Sequence, residues 1–414
     1  MDLKLRLLPS PRFFFGCPVP YVCFMRYFKR GSVMLLVAAL ATVTSFGADT
    51  VRVCAYNVLR YTADNEDGRL PQYRAIMEQI RPELLMCVEV ADGTMGPRFV
   101  ADVLTWGSYA ATPYIDGPDM NAQAFYDQQH FSFVSQRRIP TALRDIAEFV
   151  FVTKPPSGLS ADTIVLYALH LKASDSQSDA AQRASEVRAM MQSMSTARYV
   201  VVGGDLNIYA PTEAAYQQLV GATASPRRFV DPLGTVWQRN VSAFAGMYTQ
   251  CTRSTNIAGC GGGVTGGIDD RFDYLFVSQE LEPRTLMNTY TAFGNDGIAR
   301  LNKAINNPPN QIVTSDVADA LLCASDHLPV YVDVLLGDVP ASVTQRTTTR
   351  LQMESDTAVL TGCKPGQMIT VYDLVGREVY ARVARDTSVR LDLSSLKKGL
   401  YLITHAGLSK RVVL

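Results

Sequence analysis

Tyr199-Val200-Val201-Val202-Gly203-Gly204-Asp205-Leu206-Asn207 narrows the fold more than any other stretch of the chain. Its uncharged β-formers read as a strand covered on both faces, which demands layers above and below it. Gly203-Gly204 let the backbone turn or approach a ligand closely. Asp205 and Asn207 then fall two residues apart, a spacing that points both side chains the same way in an extended segment. A carboxylate and an amide can thus bracket one reacting group, although Asp and Asn are also ordinary turn formers.

The pattern of an apolar strand ending in a polar side chain recurs along the chain. Val51 to Asn57 alternates and closes on Asn57, and Leu84 to Val90 carries one acid, Glu89, in an otherwise apolar run. A buried carboxylate needs a partner, either an Arg or a metal ion. Thr163 to Leu171 ends at His170, Asp273 opens the apolar run to Val277, and Ser325-Asp326-His327 precedes Leu328 to Val334. The chain has four His, and two of them, His170 and His327, stand beside strand ends. Helical spacing predicts helices over Arg69 to Arg81 and Asp179 to Met194, so strand, helix and strand alternate as in an α/β fold. Glu148 to Thr153 reads as a further strand, and Pro211 opens a short helix through Val220. Residues 91 to 130 read as loop with one short helix near 97 to 104. Tyr126, His130 and Arg144 read as ordinary surface residues that could also face a substrate. Cys251 to Asp270 is a Gly-rich loop without the Lys-Ser/Thr ending of a phosphate-binding P-loop.

The formal net charge is +0, but residues 1 to 47 hold six Lys/Arg and one acid, which leaves −5 on the rest. The large domain is acidic, which argues against a tight nonspecific grip on nucleic acid and leaves room for local binding of phosphodiesters with rapid release. Arg26 to Arg30, the apolar run from Val33 to Ala41 and Ser45-Phe46-Gly47 form a secretory leader over 1 to 47, with Met25 the better start. Its roughly 14 apolar residues fall short of the about 20 that cross a bilayer, so no membrane span persists after the leader is removed. Export permits disulfides, and Cys251 with Cys260, nine apart in the Gly-rich loop, is the expected pair. Cys54 and Cys87 lie in apolar strands and read as core residues. Residues 338 to 344 read as a linker, and seven short β segments between Leu351 and Leu414 read as a small β-sandwich.

Asn57, Glu89, His170, Asp205, Asn207, Asp273, Asp326 and His327 occupy strand ends in one chain order. With their neighbours, as Tyr-Asn57, Val-Glu89, His170-Leu, Gly-Asp205-Leu-Asn207, Arg-Phe-Asp273-Tyr and Ser-Asp326-His327, they resemble the endonuclease/exonuclease/phosphatase superfamily. The resemblance covers about residues 50 to 336 and implies an α/β four-layer αββα sandwich, two packed mixed sheets flanked by helices, over 48 to 337. By it, Glu89 and Asn57 hold Mg²⁺ (or Mn²⁺), with Asp326 near the ion. Asp273 stabilises His327 as general base or electrostatic stabiliser, Asp205 and Asn207 orient water and a phosphate oxygen, and His170 contacts phosphate or helps the leaving group. Val371-Tyr-Asp-Leu-Val-Gly-Arg, Leu396-Lys-Lys-Gly-Leu-Tyr and Lys410-Arg-Val-Val-Leu resemble the C-terminal sorting domain of the Bacteroidetes type IX secretion system, over 345 to 414.

Together these readings predict a secreted, metal-dependent phosphodiesterase with nucleic acid as substrate. It is expected to leave the periplasm of a Bacteroidetes-type bacterium through the type IX machinery, for the cell surface or the medium. A sphingomyelinase-like or small-molecule phosphatase is the enzymatic alternative. An exported binding protein with an inactive site is the non-enzymatic one.

Overall fold

The computed structural model describes residues 49–337 and 350–414, apart from 63–67, 156, 158, 222–226, 355, 364–365, 367, 374–376 and 406–407. The expected leader and linker lie outside the described residues.

The strands up to residue 337 are β1 (Asp49–Tyr61), β2 (Leu84–Val90), β3 (Tyr109–Ala111), β4 (Asn121–Asp127), β5 (Phe131–Ile139), β6 (Ile146–Thr153), β7 (Thr163–His170), β8 (Tyr199–Asp205), β9 (Phe229–Val230), β10 (Asp273–Ser278), β11 (Thr285–Ala292) and β12 (Val330–Leu336). The helices are α1 (Leu70–Ile80), α2 (Met95–Arg98), α3 (Gln177–Ser193), α4 (Ala214–Leu219) and α5 (Ser315–Ala324). Two six-stranded mixed sheets form, in the orders β11-β12-β1-β2-β4-β3 and β5-β6-β7-β8-β10-β9.

Strand periodicity explains the layering. Val53, Ala55 and Met86 of one sheet meet Val201, Leu275 and Val277 of the other in one buried cluster, which is the seam between the sheets. Their alternates Cys54, Tyr56, Cys87, Val200, Val202 and Tyr274 point outward and pack with Tyr73 and Met77 of α1, Val187 and Met190 of α3 and Leu321 of α5. Both faces of the inner parts of β1, β2 and β8 are therefore dry, which is why β2 and β8 read as near-continuous apolar runs. The expected four-layer sandwich is the observed architecture.

Two local expectations need correction. Residues 91 to 130 are loop-rich as expected, but β3 and β4, which the sequence reading did not find, also lie there. Asn121, Gln123 and Asp127 place polar side chains on the buried face of β4, which disguises its period. Gln123 Nε2 donates to the Thr112 carbonyl at 2.7 Å and Asn121 Nδ2 to the Tyr114 hydroxyl at 2.8 Å. The short helix expected near 97 to 104 is α2 followed by a π-helical turn, Phe99–Val103.

The disulfide is Cys260–Cys323, not Cys251–Cys260. Spacing within a loop does not say which element the loop folds onto. Here Arg253 Nη1 donates to the carbonyls of Cys260 and Gly262, and Nη2 donates to that of Cys323, seating the Gly-rich loop against the end of α5. Cys251 is buried and free, its Sγ 3.4 Å from the carbonyls of Arg253 and Gly267. Because the bridge closes a loop with a sequence separation of 63, Cys323→Ser should lower the urea unfolding free energy by about 2–4 kcal/mol. Reductant should produce the same loss in the parent chain, and a loss of zero in both would refute the bridge. Cys54 and Cys87 are buried free thiols, as expected of core residues, and burial pushes both thiol pKa values up.

From residue 350 the chain forms β13 (Arg350–Glu354), β14 (Thr357–Thr361), β15 (Met368–Tyr372), β16 (Glu378–Val383), β17 (Ser388–Asp392), β18 (Leu400–His405) and β19 (Leu408–Val413). These make antiparallel sheets in the orders β13-β14-β17 and β16-β15-β18-β19, closed on Ala358, Leu360, Ile369, Val371, Leu391 and Ile403. The expected small β-sandwich is present. Among the described residues no helix is long and apolar enough to cross a membrane.

Candidate active site

Topology gathers the polar strand ends. β1 and β2 are parallel, as are β7 and β8, so within each pair the C-terminal ends face the same way. In register, His170 lies opposite Asp205, and Asp205 opposite Asp273, because β10 runs antiparallel to β8. β12 runs antiparallel to β1, which brings His327, just before it, back to the end where Asn57 and Glu89 emerge. The eight predicted residues therefore come to one end of the sandwich.

The backbone there is unusual. Leu59, Arg60, Glu89 and Asn207 have φ of 46°, 48°, 62° and 49°, and Gly204 has 121°. Left-handed non-glycine residues persist only where their surroundings over-determine them, and they cluster at functional sites. These turns aim backbone N–H groups at carboxylates: Arg60 N donates to Glu89 Oε2 at 3.0 Å and Asn207 N to Asp205 Oδ1 at 3.1 Å. Glu89 thus finds its partners in a backbone amide and a carboxamide.

Asn57 supplies that carboxamide. Its Oδ1 accepts from Leu59 N at 2.9 Å, and its Nδ2 donates to Glu89 Oε1 at 2.9 Å and Asp205 Oδ2 at 3.1 Å. In this arrangement Asn57 ties two acids together, whereas its expected role was to offer an oxygen to the ion. His170 Nε2 stands 3.7 Å from Glu89 Oε1 and 3.6 Å from Asp205 Oδ2. Ligand atoms of Glu89, His170 and Asp205 all lie within 4.8 Å of one another. Asp326, expected near the ion, is not in that group; its Oδ2 accepts from Val264 N at 2.7 Å, and its buried Oδ1 has no partner.

On the other side of Asp205, His327 Nε2 is 3.6 Å from Asp205 Oδ2, and His327 Nδ1 is 2.7 Å from Asp273 Oδ2. Asp273 and His327 are 1% and 2% exposed, so this pair is shielded from water. Burial alone would depress the imidazolium, but Asp273 and Asp205 overcome it and hold the His327 pKa well above the usual value. His170 goes the other way: burial, with Arg144 and His327 adding to it, keeps it neutral. Burial pushes Asp205 up to about 7, with Asp273 and Glu89 adding and His327 opposing. Two carboxylates and a neutral imidazole fit a divalent cation, and oxygen-dominated donors suit Mg²⁺ or Mn²⁺.

The C-terminal sandwich can be placed by comparison. Residues 349–413 match the family described as "Secretion system C-terminal sorting domain". The sorting domain indicates secretion through the Bacteroidetes type IX route, as the resemblance of its motifs implied. No curated protein matches the chain. Among solved structures, TDP2 from C. elegans is similar at 17% identity and TM-score 0.45, over 69% of this chain and 75% of that one. The human Nocturnin catalytic domain with bound sulfate is similar at 17% identity and TM-score 0.41, over 69% and 93%. An endonuclease/exonuclease/phosphatase from Beutenbergia cavernae DSM 12333 is similar at 16% identity and TM-score 0.40, over 88% and 100%.

Every residue gathered at the strand ends precedes the sorting domain, and several of their supports carried no signal in the sequence. Gln250 Nε2 lies 2.6 Å from His327 Nε2 and 3.4 Å from Asp326 Oδ2. A neutral imidazole accepts from that amide; a charged one requires the amide turned so that its oxygen faces Nε2. Ser325 Oγ donates to the Asn57 carbonyl at 2.7 Å and accepts from His327 N at 3.1 Å, joining the two halves of the site. Thr249 Oγ1 accepts from Asp273 N at 3.1 Å. Of these only Ser325 sat inside a recognised motif. His130 pairs with Asp127 at 3.0 Å, and Arg144 with Asp119 at 2.7 Å.

Proposed function

We propose that this protein is an exported, divalent-metal-dependent phosphoesterase that cleaves phosphodiester bonds, with nucleic acid as its substrate. The observation that carries the reading is the pairing of the Glu89–His170–Asp205 group with the shielded Asp273–His327 pair 3.6 Å from Asp205. In this reading residues 48–337 are the catalytic unit and 345–414 the export module.

Glu89 and Asp205, with His170 beside them, would hold the ion, which supplies Lewis-acid polarisation of a phosphoryl oxygen when bound. Asp205 and Asn207 orient the attacking water. His327, fixed through Nδ1 by Asp273, keeps Nε2 for the reacting phosphate and donates to the charge that develops there. Gln250 must yield that position when substrate enters. Buried side chains around the pair exclude bulk water, which strengthens each of these interactions. The acidic character of the catalytic unit argues against a long electrostatic grip on nucleic acid and leaves room for local binding of a phosphodiester with quick release.

The test is hydrolysis of duplex DNA, RNA, bis-p-nitrophenyl phosphate and sphingomyelin by the exported chain, with Mg²⁺, with Mn²⁺ and with chelator. Metal-dependent cleavage of nucleic acid is expected. Turnover of sphingomyelin alone would overturn the substrate assignment, and activity indifferent to chelator would overturn the ion.

A second expected result concerns pH. The pKa of Asp205 is raised on folding from 3.8 to about 7. Its contribution to stability is therefore complete below the unfolded value and is lost as pH rises through about 7. His327, also raised, acts in the same direction. A divalent ion competes with the Asp205 proton, so its stabilising effect should grow as pH rises. Melting temperatures with and without Mn²⁺ should diverge more at pH 8 than at pH 6, and a gap independent of pH would contradict the assignment of Asp205.

A further inference from the structure

We propose that Arg69, with Tyr73 beside it, is the positioning residue of the divalent-ion site; this rests on the reading of Glu89, His170 and Asp205 as that site. Arg69 stands at the N-terminal cap of α1 and is 0% exposed. Its Nη1 donates to the carbonyls of Val58 at 3.2 Å and Ala324 at 2.8 Å, and its Nη2 to that of Leu59 at 3.0 Å. The Tyr73 hydroxyl lies 2.8 Å and 2.9 Å from the same Val58 and Ala324 oxygens, and the guanidinium sits 5.5 Å from the Tyr73 ring centroid.

Each of those carbonyls belongs to a segment that aims a site residue. Val58 and Leu59 enter the turn in which Leu59 and Arg60 are both left-handed. That turn delivers Arg60 N to Glu89 Oε2, and Leu59 N to Asn57 Oδ1, which in turn points Asn57 Nδ2 at Glu89 and Asp205. Ala324 ends α5 and leads into Ser325, whose hydroxyl joins the Asn57 carbonyl to His327 N. One guanidinium therefore holds a turn unfavourable for non-glycine residues and docks it to the helix end that feeds His327. Without it, the Leu59 carbonyl loses this donor, the Val58 and Ala324 carbonyls are left to share the single Tyr73 hydroxyl, and the turn is held more weakly against relaxation. Glu89 would then lose its backbone N–H and its orientation. Sequence reading placed Arg69 only as the start of a helix.

The experiment measures Mn²⁺ affinity by calorimetry on the full exported chain, for the parent, Arg69→Met, Arg69→Lys and Tyr73→Phe, with the melting temperature of each. Supporting groups of this kind are worth about 10- to 100-fold in metal affinity. Arg69→Met should weaken Mn²⁺ binding by about that factor, Arg69→Lys should recover part of it, and Tyr73→Phe should lose a few-fold. A purely structural role lowers the melting temperature while leaving the affinity of the folded protein at the parent value, and that result would overturn the inference. If Arg69→Met does not fold, the lysine and Tyr73→Phe variants decide, since parent-like affinity in both overturns it equally. A parent chain that binds no Mn²⁺ would instead remove the ion site on which the inference rests.

Discussion

His327→Ala is expected to lower kcat for phosphodiester hydrolysis by about 10³- to 10⁴-fold at saturating metal, the upper range for a group that exchanges protons or charge with the reacting centre. The ring is 2% exposed, its Nδ1 is bonded to Asp273, and its Nε2 lies on the side of Asp205. No neighbour can move in to replace it. Gln250, which touches Nε2, carries no charge, and His170, the other imidazole of the site, is 3.6 Å from Asp205 Oδ2 on the side of Glu89. KM should change much less than kcat, because the lost interaction is made with charge that appears only in the transition state. Asp273→Asn should fall between, since an amide keeps the contact with Nδ1 but no longer holds the imidazolium charge. Steady-state kinetics on bis-p-nitrophenyl phosphate would decide: parent-like kcat in His327→Ala would eliminate the proposed chemistry.

Gly204→Ala should be the most damaging single methyl group in the catalytic unit. A Cβ there would lie 2.2 Å from the Leu169 carbonyl of the neighbouring strand, at a φ of 121° that L residues rarely adopt. Leu169 is Gly204's register partner, and the next pair is His170 and Asp205. Neither backbone can give way without moving two site residues. The expected loss is on the order of 4 kcal/mol, well beyond an ordinary Gly to Ala change, and is accompanied by a fall in melting temperature of roughly 10 °C. Thermal unfolding read by circular dichroism checks it, and a loss below about 1 kcal/mol would mean that β7 and β8 are not paired in this register.

The elements legible in the sequence were those whose burial is written along the chain. β2, β8 and β10 are apolar on both faces and read as apolar strands from a few consecutive residues, and β1 shows itself by an alternating run that closes on Asn57. α1 and α3 announce themselves by helical spacing, and α1 ends one residue short of the expected Arg81. β4 escaped because its buried face carries Asn121, Gln123 and Asp127, whose polarity breaks the apolar period. The same limit explains the disulfide. Cys260 was recognisable as a cysteine in an exported chain, but its partner lies 63 residues away and is chosen by how the Gly-rich loop folds over α5.

Periodicity and turn residues thus marked the strands and helices of an α/β fold, the β-sandwich tail and the polar groups at the strand ends, and the resemblance carried by the short motifs implied the four layers. Tertiary structure alone decided their relations. Asn57 bonds Asp205 across 148 residues, and Ser325 bonds Asn57 across 268. Glu89, His170 and Asp205 came together as a group, Asn57 became their tie, and Asp326 turned to the Gly-rich loop. The physical reason is that hydrophobic period is a property of neighbouring residues, whereas sheet order and strand register are settled by the packing of whole layers. Arg69 and Gln250 mark that boundary: Arg69 reaches the Ala324 carbonyl across 255 residues, and Gln250 reaches His327 across 77.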